Sequence, residues 1–255
     1  MKVMTYNMQG SKGGNTWDLI ERIMIEHDLD ICMLQECGNP PISFKKNLNK
    51  NVLTLPSLKN KYGMLSRVIC RKIQKGTGSR PGPEFYLVHA AWGVARNGRG
   101  TRNGSAGFVN SRCSLAVVSR VEPEKLVYVK NHLKDKQRPA IGMQINCDIG
   151  AGAQKVVFAS VHAFAGGGND GPSFIKQIKE LAKEKKFAWV CGGDWNMEPS
   201  NWNAAKLNGS FLFEPDKPTH AGVSRYDYIL SSVNNFHKGQ VISNLADSDH
   251  FPVIY

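Results

Sequence analysis

The 255-residue sequence reads as an α/β chain folded into a four-layered sandwich, two mixed or antiparallel β-sheets packed face to face with helices outside. Three observations carry this reading. Short apolar runs rich in Val, Ile, Phe and Tyr recur along the whole length, helical periodicity is clear in only two places, and no repeat, Pro-rich linker or break in composition divides the chain. A doubly wound parallel sheet would need about as many helices as strands, so strands in excess favour paired sheets. Residues 1–255 are expected to form one domain, a common size for mixed layers around sheet cores.

The predicted strands fall at 1–8, 31–36, 64–73, 85–91, 113–119, 125–131, 139–147, 155–162, 187–192, 226–231 and 252–255. One helix is expected over 16–27, with Thr16 as its cap and Trp17, Ile20 and Met24 at helical spacing. A second is expected over 172–186, with Pro172 at its start and Phe174, Ile178 and Leu181 on one face. The stretch Asn97–Gly107 reads as a flexible basic loop, and Arg96 just before it with Arg99 and Arg102 within it are expected to contact phosphate, although such loops can also do nothing.

Composition narrows the function classes. Hydrophobic residues make up 41% and charged residues 21%, as in ordinary globular chains, and no apolar run approaches the roughly 18 residues that would span a bilayer. The first residues alternate like a strand and lack the apolar stretch of a signal peptide, so either the protein is made without a leader or the leader has been removed. The net charge of +12 is segregated: residues 41–120 hold fifteen Lys and Arg against the single acid Glu84, a balance of +14, which leaves about −2 for the rest. Such a face suits a polyanion, and nucleic acid above all, because closely spaced phosphates reward a spread of cations by counterion release. The plain alternative is a solvated surface that keeps the protein soluble. Of the six cysteines, Cys32, Cys113, Cys147 and Cys191 sit in apolar runs and read as small buried hydrophobes; without a CxxC pair, neither zinc nor a redox dithiol is indicated.

Polar groups stand where predicted strands leave the core. Glu36 closes the run from Ile31, where taken alone a surface Glu at a turn is the commoner explanation. In Trp189–Asn196, two glycines that permit close backbone approach precede Asp194 and Asn196, which period-2 alternation aims at one face. His162 ends the strand from Val156, where a lone histidine is more often structural. Asp227 enters another strand, and Asp249 and His250 precede the last. Carboxylates can hold a hard divalent cation and a histidine titrating near neutrality can move a proton, the inventory for hydrolysing a phosphodiester.

Thr5-Tyr-Asn-Met-Gln-Gly-Ser11, Leu34-Gln-Glu-Cys-Gly38, Gly76-Thr-Gly-Ser-Arg-Pro81, Leu115-Ala-Val-Val-Ser-Arg120, Arg138-Pro-Ala-Ile-Gly142, Ser160-Val-His-Ala163, Gly193-Asp-Trp-Asn196, Tyr226-Asp-Tyr228 and Ser248-Asp-His-Phe-Pro252 follow one another in an order that resembles the endonuclease/exonuclease/phosphatase superfamily, of DNase I-like fold. The first, third and fourth are similar specifically to the catalytic subunits of cytolethal distending toxins. The resemblance implies a nuclease that uses Mg²⁺ or a similar ion such as Mn²⁺ or Ca²⁺. It makes Glu36 the metal-holding acid, with Asn7 and Asp249 as neighbouring ligands or as groups that support the ligands, and His162 and His250 the catalytic pair, with Asp227 orienting or polarising one of them. Asp194 and Asn196 would position water and the scissile phosphate, and Arg112 and Arg138 would bind phosphate. His250 is read as base and His162 as acid or oxyanion stabiliser, an order the sequence does not fix. Trp195 stands where many relatives carry Phe, a change expected to affect packing alone. DNA is the implied substrate, separate delivery subunits are implied partners, and secretion followed by action in a target cell's nucleus is the implied route. Two rivals are a phosphoinositide phosphatase on the same fold and a binding module that has lost catalysis.

Overall fold

The structure, a computed structural model, describes residues 1–10, 15–38, 40, 67–77, 80–91, 113–129, 138–150, 152–245 and 248–255. One sheet is built from β1 (Val3–Asn7), β2 (Ile31–Gln35), β3 (Arg67–Thr77), β4 (Arg80–Ala91), β5 (Ser114–Ser119), β12 (Gln240–Val241) and β13 (Val253–Ile254). The other contains β6 (Lys125–Val129), β7 (Ala140–Asp148), β8 (Ala153–His162), β9 (Ala188–Asp194), β10 (Phe211–Phe213) and β11 (Asp227–Ser231). Their orders are β12-β13-β1-β2-β5-β4-β3 and β10-β11-β9-β8-β7-β6. Among the described residues β1–β2 and β8–β9 pair in parallel and the other paired strands are antiparallel, so both sheets are mixed.

Side-chain alternation turns each strand into a partition between two cores. Val3, Ile31, Met33, Leu115 and Val117 of one sheet meet Ile141, Met143, Val156, Phe158, Val190 and Ile229 of the other between the layers. Their neighbours Met4, Tyr6, Cys32, Leu34, Ala116 and Val118 point outward to Trp17, Ile20, Ile23 and Met24 of helix α1 (Asn15–Glu26). Val157, Ala159, Val161 and Cys191 point outward to Phe174, Ile175 and Ile178 of α2 (Gly171–Lys185). Three cores therefore separate four layers, as the strand count predicts. A fully buried side chain of this kind is worth about 1.5–3 kcal/mol, enough in sum to carry the buried charges of the site described below.

Local differences from the sequence reading have local causes. Thr16 lies inside the first turn of α1 rather than capping it, since the helix begins at Asn15. On α2, Ile175 and Ala182 join Phe174 and Ile178 on the buried face while Leu181 is only partly covered. β4 begins at Arg80, ahead of the run at 85, because Pro81 to Pro83 lie at the hairpin end where Thr77 pairs with Arg80 and the register with β3 shifts between Gln74 and Gly76. The short β10, β12, a 3-10 turn at Pro199–Asn201 and α3 (Ala204–Leu207) have too few residues to show a period. Among the described residues no helix is long and apolar enough to cross a membrane.

Two glycines set how close the strands come. A Cβ on Gly192 would lie 2.5 Å from Met33 Cε across the sandwich, and one on Gly193 would lie 2.1 Å from Val161 O in the neighbouring strand. The sheets are also joined by a polar bridge, in which Gln35 Nε2 donates to Ser160 Oγ at 2.9 Å and Ser160 Oγ donates to Leu34 O at 2.8 Å.

Candidate active site

Strand register gathers the predicted residues at one end of the sandwich. In the second sheet Asp194 is the direct partner of Asp227 on one side and of His162 on the other. In the first sheet Asn7, ending β1, stands beside Gln35, and Glu36 follows. β1, β2, β8 and β9 end on a polar residue and β11 begins on one, so apolar strand bodies deliver polar tips to a common floor. Glu36 and Asn196 take positive φ values of 47° and 49°, left-handed conformations that turn the chain just as it leaves a sheet.

The two sheets touch through these tips. Asn7 Nδ2 donates to Asp194 Oδ2 at 2.9 Å, while Asp194 Oδ1 accepts the Asn196 N–H at 2.9 Å. Asn196 Nδ2 donates to Ala163 O at 3.0 Å, tying the β9 exit to the β8 exit. His162 Nε2 lies 3.6 Å from Asp194 Oδ2 and 3.8 Å from Glu36 Oε1. His250 Nε2 lies 3.8 Å from Asp194 Oδ2, and His250 Nδ1 meets Asp227 Oδ2 at 2.8 Å. Thr219 Oγ1 accepts the backbone N–H groups of Tyr226 and Asp227, both at 3.0 Å, fixing the start of β11.

Burial gives these contacts force. Asp194, Asp227, His162 and His250 are each at most 6% exposed. Burial pushes the Asp194 carboxyl up from its ordinary 3.8 to about 7, with the Asp227 charge adding to the rise; His250, the Asn7 amide and the Asn196 N–H pull the other way. Burial alone would lower His250, but the Asp227 charge and hydrogen bond, with Asp194 and Asp249, outweigh it and raise the imidazole from 6.5 to about 9. A raised acid and a raised histidine side by side are the signature of a proton-handling site.

Asp249 lies on the rim, its Oδ2 accepting from Gln9 Nε2 at 2.7 Å and its Oδ1 standing 3.8 Å from His250 Nε2. Among the described residues two groups place three side-chain ligand atoms within 4.8 Å of one another, Asp194–Asp227–His250 and His220–Asp249–His250; Glu36 joins neither and sits on the His162 side. Arg138 reaches the site floor, donating to Ala163 O at 2.7 Å with its guanidinium 5.1 Å from the Phe164 ring. Arg96, Arg99, Arg102 and Arg112 lie outside the described residues. Trp195 is fully buried, stacks on Tyr228 and donates to Tyr228 O at 3.0 Å, a packing role behind the site. Among the described residues burial disfavours every thiolate: it pushes Cys37 up to about 12, raises Cys32 and Cys191 further, and raises the half-buried Cys113 and Cys147 as well.

Sequence reasoning assigns no role to Gln9, Thr219, Ser160 or His220. Gln9 and Ser160 lie inside the segments that carry the family resemblance and are legible there, whereas Thr219 and His220 belong to an irregular turn with no period to mark them.

The sequence model of the Endonuclease/Exonuclease/phosphatase family matches residues 4–250, and the chain belongs to that family. It is a hydrolase of the nuclease or phosphatase type. It is 26% identical to a Salmonella typhi homolog of the cytolethal distending toxin B subunit, over 100% of this chain and 88% of the relative. The solved cytolethal distending toxin of Actinobacillus actinomycetemcomitans contains a chain of 25% identity and TM-score 0.74, with 99% of this chain and 96% of that one covered. The Haemophilus ducreyi toxin gives 25% identity, TM-score 0.71 and the same two coverages.

Proposed function

We propose that the chain is a divalent-metal-dependent deoxyribonuclease, the catalytic subunit of a genotoxin related to the cytolethal distending toxins. The observation that carries the reading is the buried convergence of His162, His250 and Asp194, backed by the His250–Asp227 pair at 2.8 Å. A pure binding module has no use for two buried histidines on one carboxylate.

The donor set fits a hard divalent cation. Glu36, Asn7 and Asp249 offer side-chain oxygens at the same end of the sandwich, Asn7 against Asp194, Glu36 against His162 and Asp249 against His250. Oxygen ligands of this type suit Mg²⁺, Mn²⁺ or Ca²⁺. When bound, such an ion supplies charge that stabilises the anionic phosphorane-like transition state.

The protein's own residues then divide the proton work. Asp227 holds the His250 imidazolium, so at neutral pH His250 carries a proton and directs Nε2–H at a phosphate oxygen. Asp194, raised to about 7, is poised to take a proton from the attacking water, with Asn196 locking one of its oxygens. His162 faces both Asp194 and Glu36 and suits protonation of the leaving 3′-oxygen. In this assignment Asp194 takes the base role that the sequence reading gave to His250, His162 stays the acid, and His250 stabilises charge because its Asp227 partner keeps it protonated. Arg138, anchored on Ala163 O, and the basic segment 41–120 supply phosphate contacts.

Mg²⁺ is the proposed ion, DNA the substrate, separate delivery subunits the partners, and secretion followed by action in a target cell's nucleus the route. The test sets two substrates side by side under Mg²⁺: supercoiled plasmid, followed by gel, and a short-chain phosphatidylinositol trisphosphate, followed by phosphate release. The reading expects plasmid nicking well above lipid turnover. Lipid turnover that dominates would transfer the site to a phosphoinositide phosphatase.

A further inference from the structure

Beside the proposed catalytic floor, a second constellation uses none of the oxygen donors of Glu36 or Asn7. His220 opens the turn to Ser224, closed by Ser224 N donating to His220 O at 3.2 Å and His220 N donating to Ser224 O at 2.9 Å, and it is bridged to His250 by backbone pairing. Its ring stacks on Tyr226 at 5.5 Å and stands 4.5 Å from the His250 ring. Asp249 lies between the two imidazoles, with Oδ2 3.8 Å from His220 Nε2 and Oδ1 3.8 Å from His250 Nε2. One ligand atom from each residue falls within 4.8 Å of the others. The side chains of His220 and Asp249 are 31% and 44% exposed, so an ion can reach them from solvent.

We infer that His220, Asp249 and His250 form a site for a borderline transition-metal ion of the zinc class, and that its occupation inhibits the enzyme. Two imidazoles and one carboxylate are a ligand set that selects Zn²⁺ over Mg²⁺, which prefers oxygen and gives up its waters reluctantly. His250 is already oriented as such a ligand: Nδ1 is committed to Asp227 Oδ2, and Nε2 gives up its proton to solvent as the ion binds. Zinc ligands lie about 2.0–2.2 Å from the metal and so about 3.3 Å from one another, so the two 3.8 Å contacts to the Asp249 oxygens, within a group whose ligand atoms lie no more than 4.8 Å apart, must close by about 0.5–1.5 Å on binding. His220 can supply this movement from the partly exposed turn. Inhibition rests on the nuclease reading above, because zinc would take the same Nε2 that is proposed to face phosphate and would share Asp249 with the proposed Mg²⁺ site.

The test uses the untagged full chain, stripped with chelator, in Mg²⁺ buffer. Zn²⁺ affinity is read by competition with a chromophoric zinc indicator, and plasmid nicking is read in parallel. His220→Gln should weaken Zn²⁺ binding and raise the half-inhibitory Zn²⁺ concentration, each at least ~10-fold, with nicking in Mg²⁺ alone retained. His220→Cys, which returns a zinc ligand, should restore binding. Zn²⁺ affinity unchanged in His220→Gln would overturn the site. Absence of nicking by the wild-type chain would count against the nuclease reading alone, since the indicator titration judges the site without it.

Discussion

His250 and Asp194 titrate in the same direction on folding, and their stability contributions fade together as pH rises. A histidine whose folded-state pKa is about 9 against an ordinary 6.5 gives stability that is fully present below about 6.5 and lost as pH rises through about 9. An acid raised from 3.8 to about 7 likewise favours the fold below its ordinary value and loses that contribution as pH rises through about 7. Thermal melts in chelator should therefore decline from pH 6 to 9.5, and Asp227→Asn, which removes the charge that raises His250, should flatten the upper part of that decline; an unchanged profile would remove His250 from it. His162→Ala and His250→Ala should each lower plasmid nicking by about 10²-fold or more, the scale for a positioned proton-handling group. If the two act in one step, the double variant should lose far less than the product of the single losses. Glu36→Gln should raise the Mg²⁺ concentration needed for nicking, or abolish turnover, with the fold retained; normal nicking at low Mg²⁺ would take Glu36 out of the metal site. Nearly every group in these experiments is legible from residue type at a strand end. His220 is not, because two imidazoles flanking Asp249 meet only through the turn at 220–224 and its bridge to His250, a tertiary contact without a local period.

Strands place the chemistry here, and the tightest placement is β9. Gly192 and Gly193 bring β9 against Met33 and Val161, which sets Asp194 level with His162 and Asp227. Gly193→Ala would drive a Cβ to 2.1 Å from Val161 O, a backbone atom with no rotamer to yield. The cost should reach or exceed the ~1–3 kcal/mol of ordinary overpacking, read as a fall of several degrees in Tm and a loss of nicking. A Tm within about a degree of wild type would show that the strands do not meet as described. Long periodic elements are legible from sequence: β1, β2, β5, β8, β9 and both long helices lie within a few residues of the predicted runs. β10, β12 and α3 are not, since a strand of two or three residues or a single helical turn leaves no pattern, and their positions follow from pairing and from caps such as Asn203 on Lys206 N.

Across the whole molecule, charge and chemistry are segregated: the acids and histidines of the candidate site stand at or next to strand ends, whereas the +14 balance belongs to residues 41–120. The division predicts that affinity and turnover separate under salt. Replacing Arg96, Arg99 and Arg102 together by Gln should weaken DNA binding and flatten the dependence of log K on log[salt], by about 0.9 for each duplex phosphate no longer neutralised, with little change in rate at saturating DNA. An unchanged slope would make that segment an ordinary solvated surface. The layered architecture is readable because alternation along each strand separates three cores. The spatial relation of the basic segment to the site is not, because charge segregation carries no three-dimensional register. Whether the convergence of Asp194, His162 and His250 is a metal-dependent nuclease is decided by following supercoiled plasmid while Mg²⁺ is titrated into chelator-stripped wild-type protein and into Asp194→Ala. The account predicts nicking that rises with Mg²⁺ and is abolished by chelator in the wild type, and at most residual nicking in the variant; nicking that persists in chelator, or equal nicking by Asp194→Ala, would contradict it.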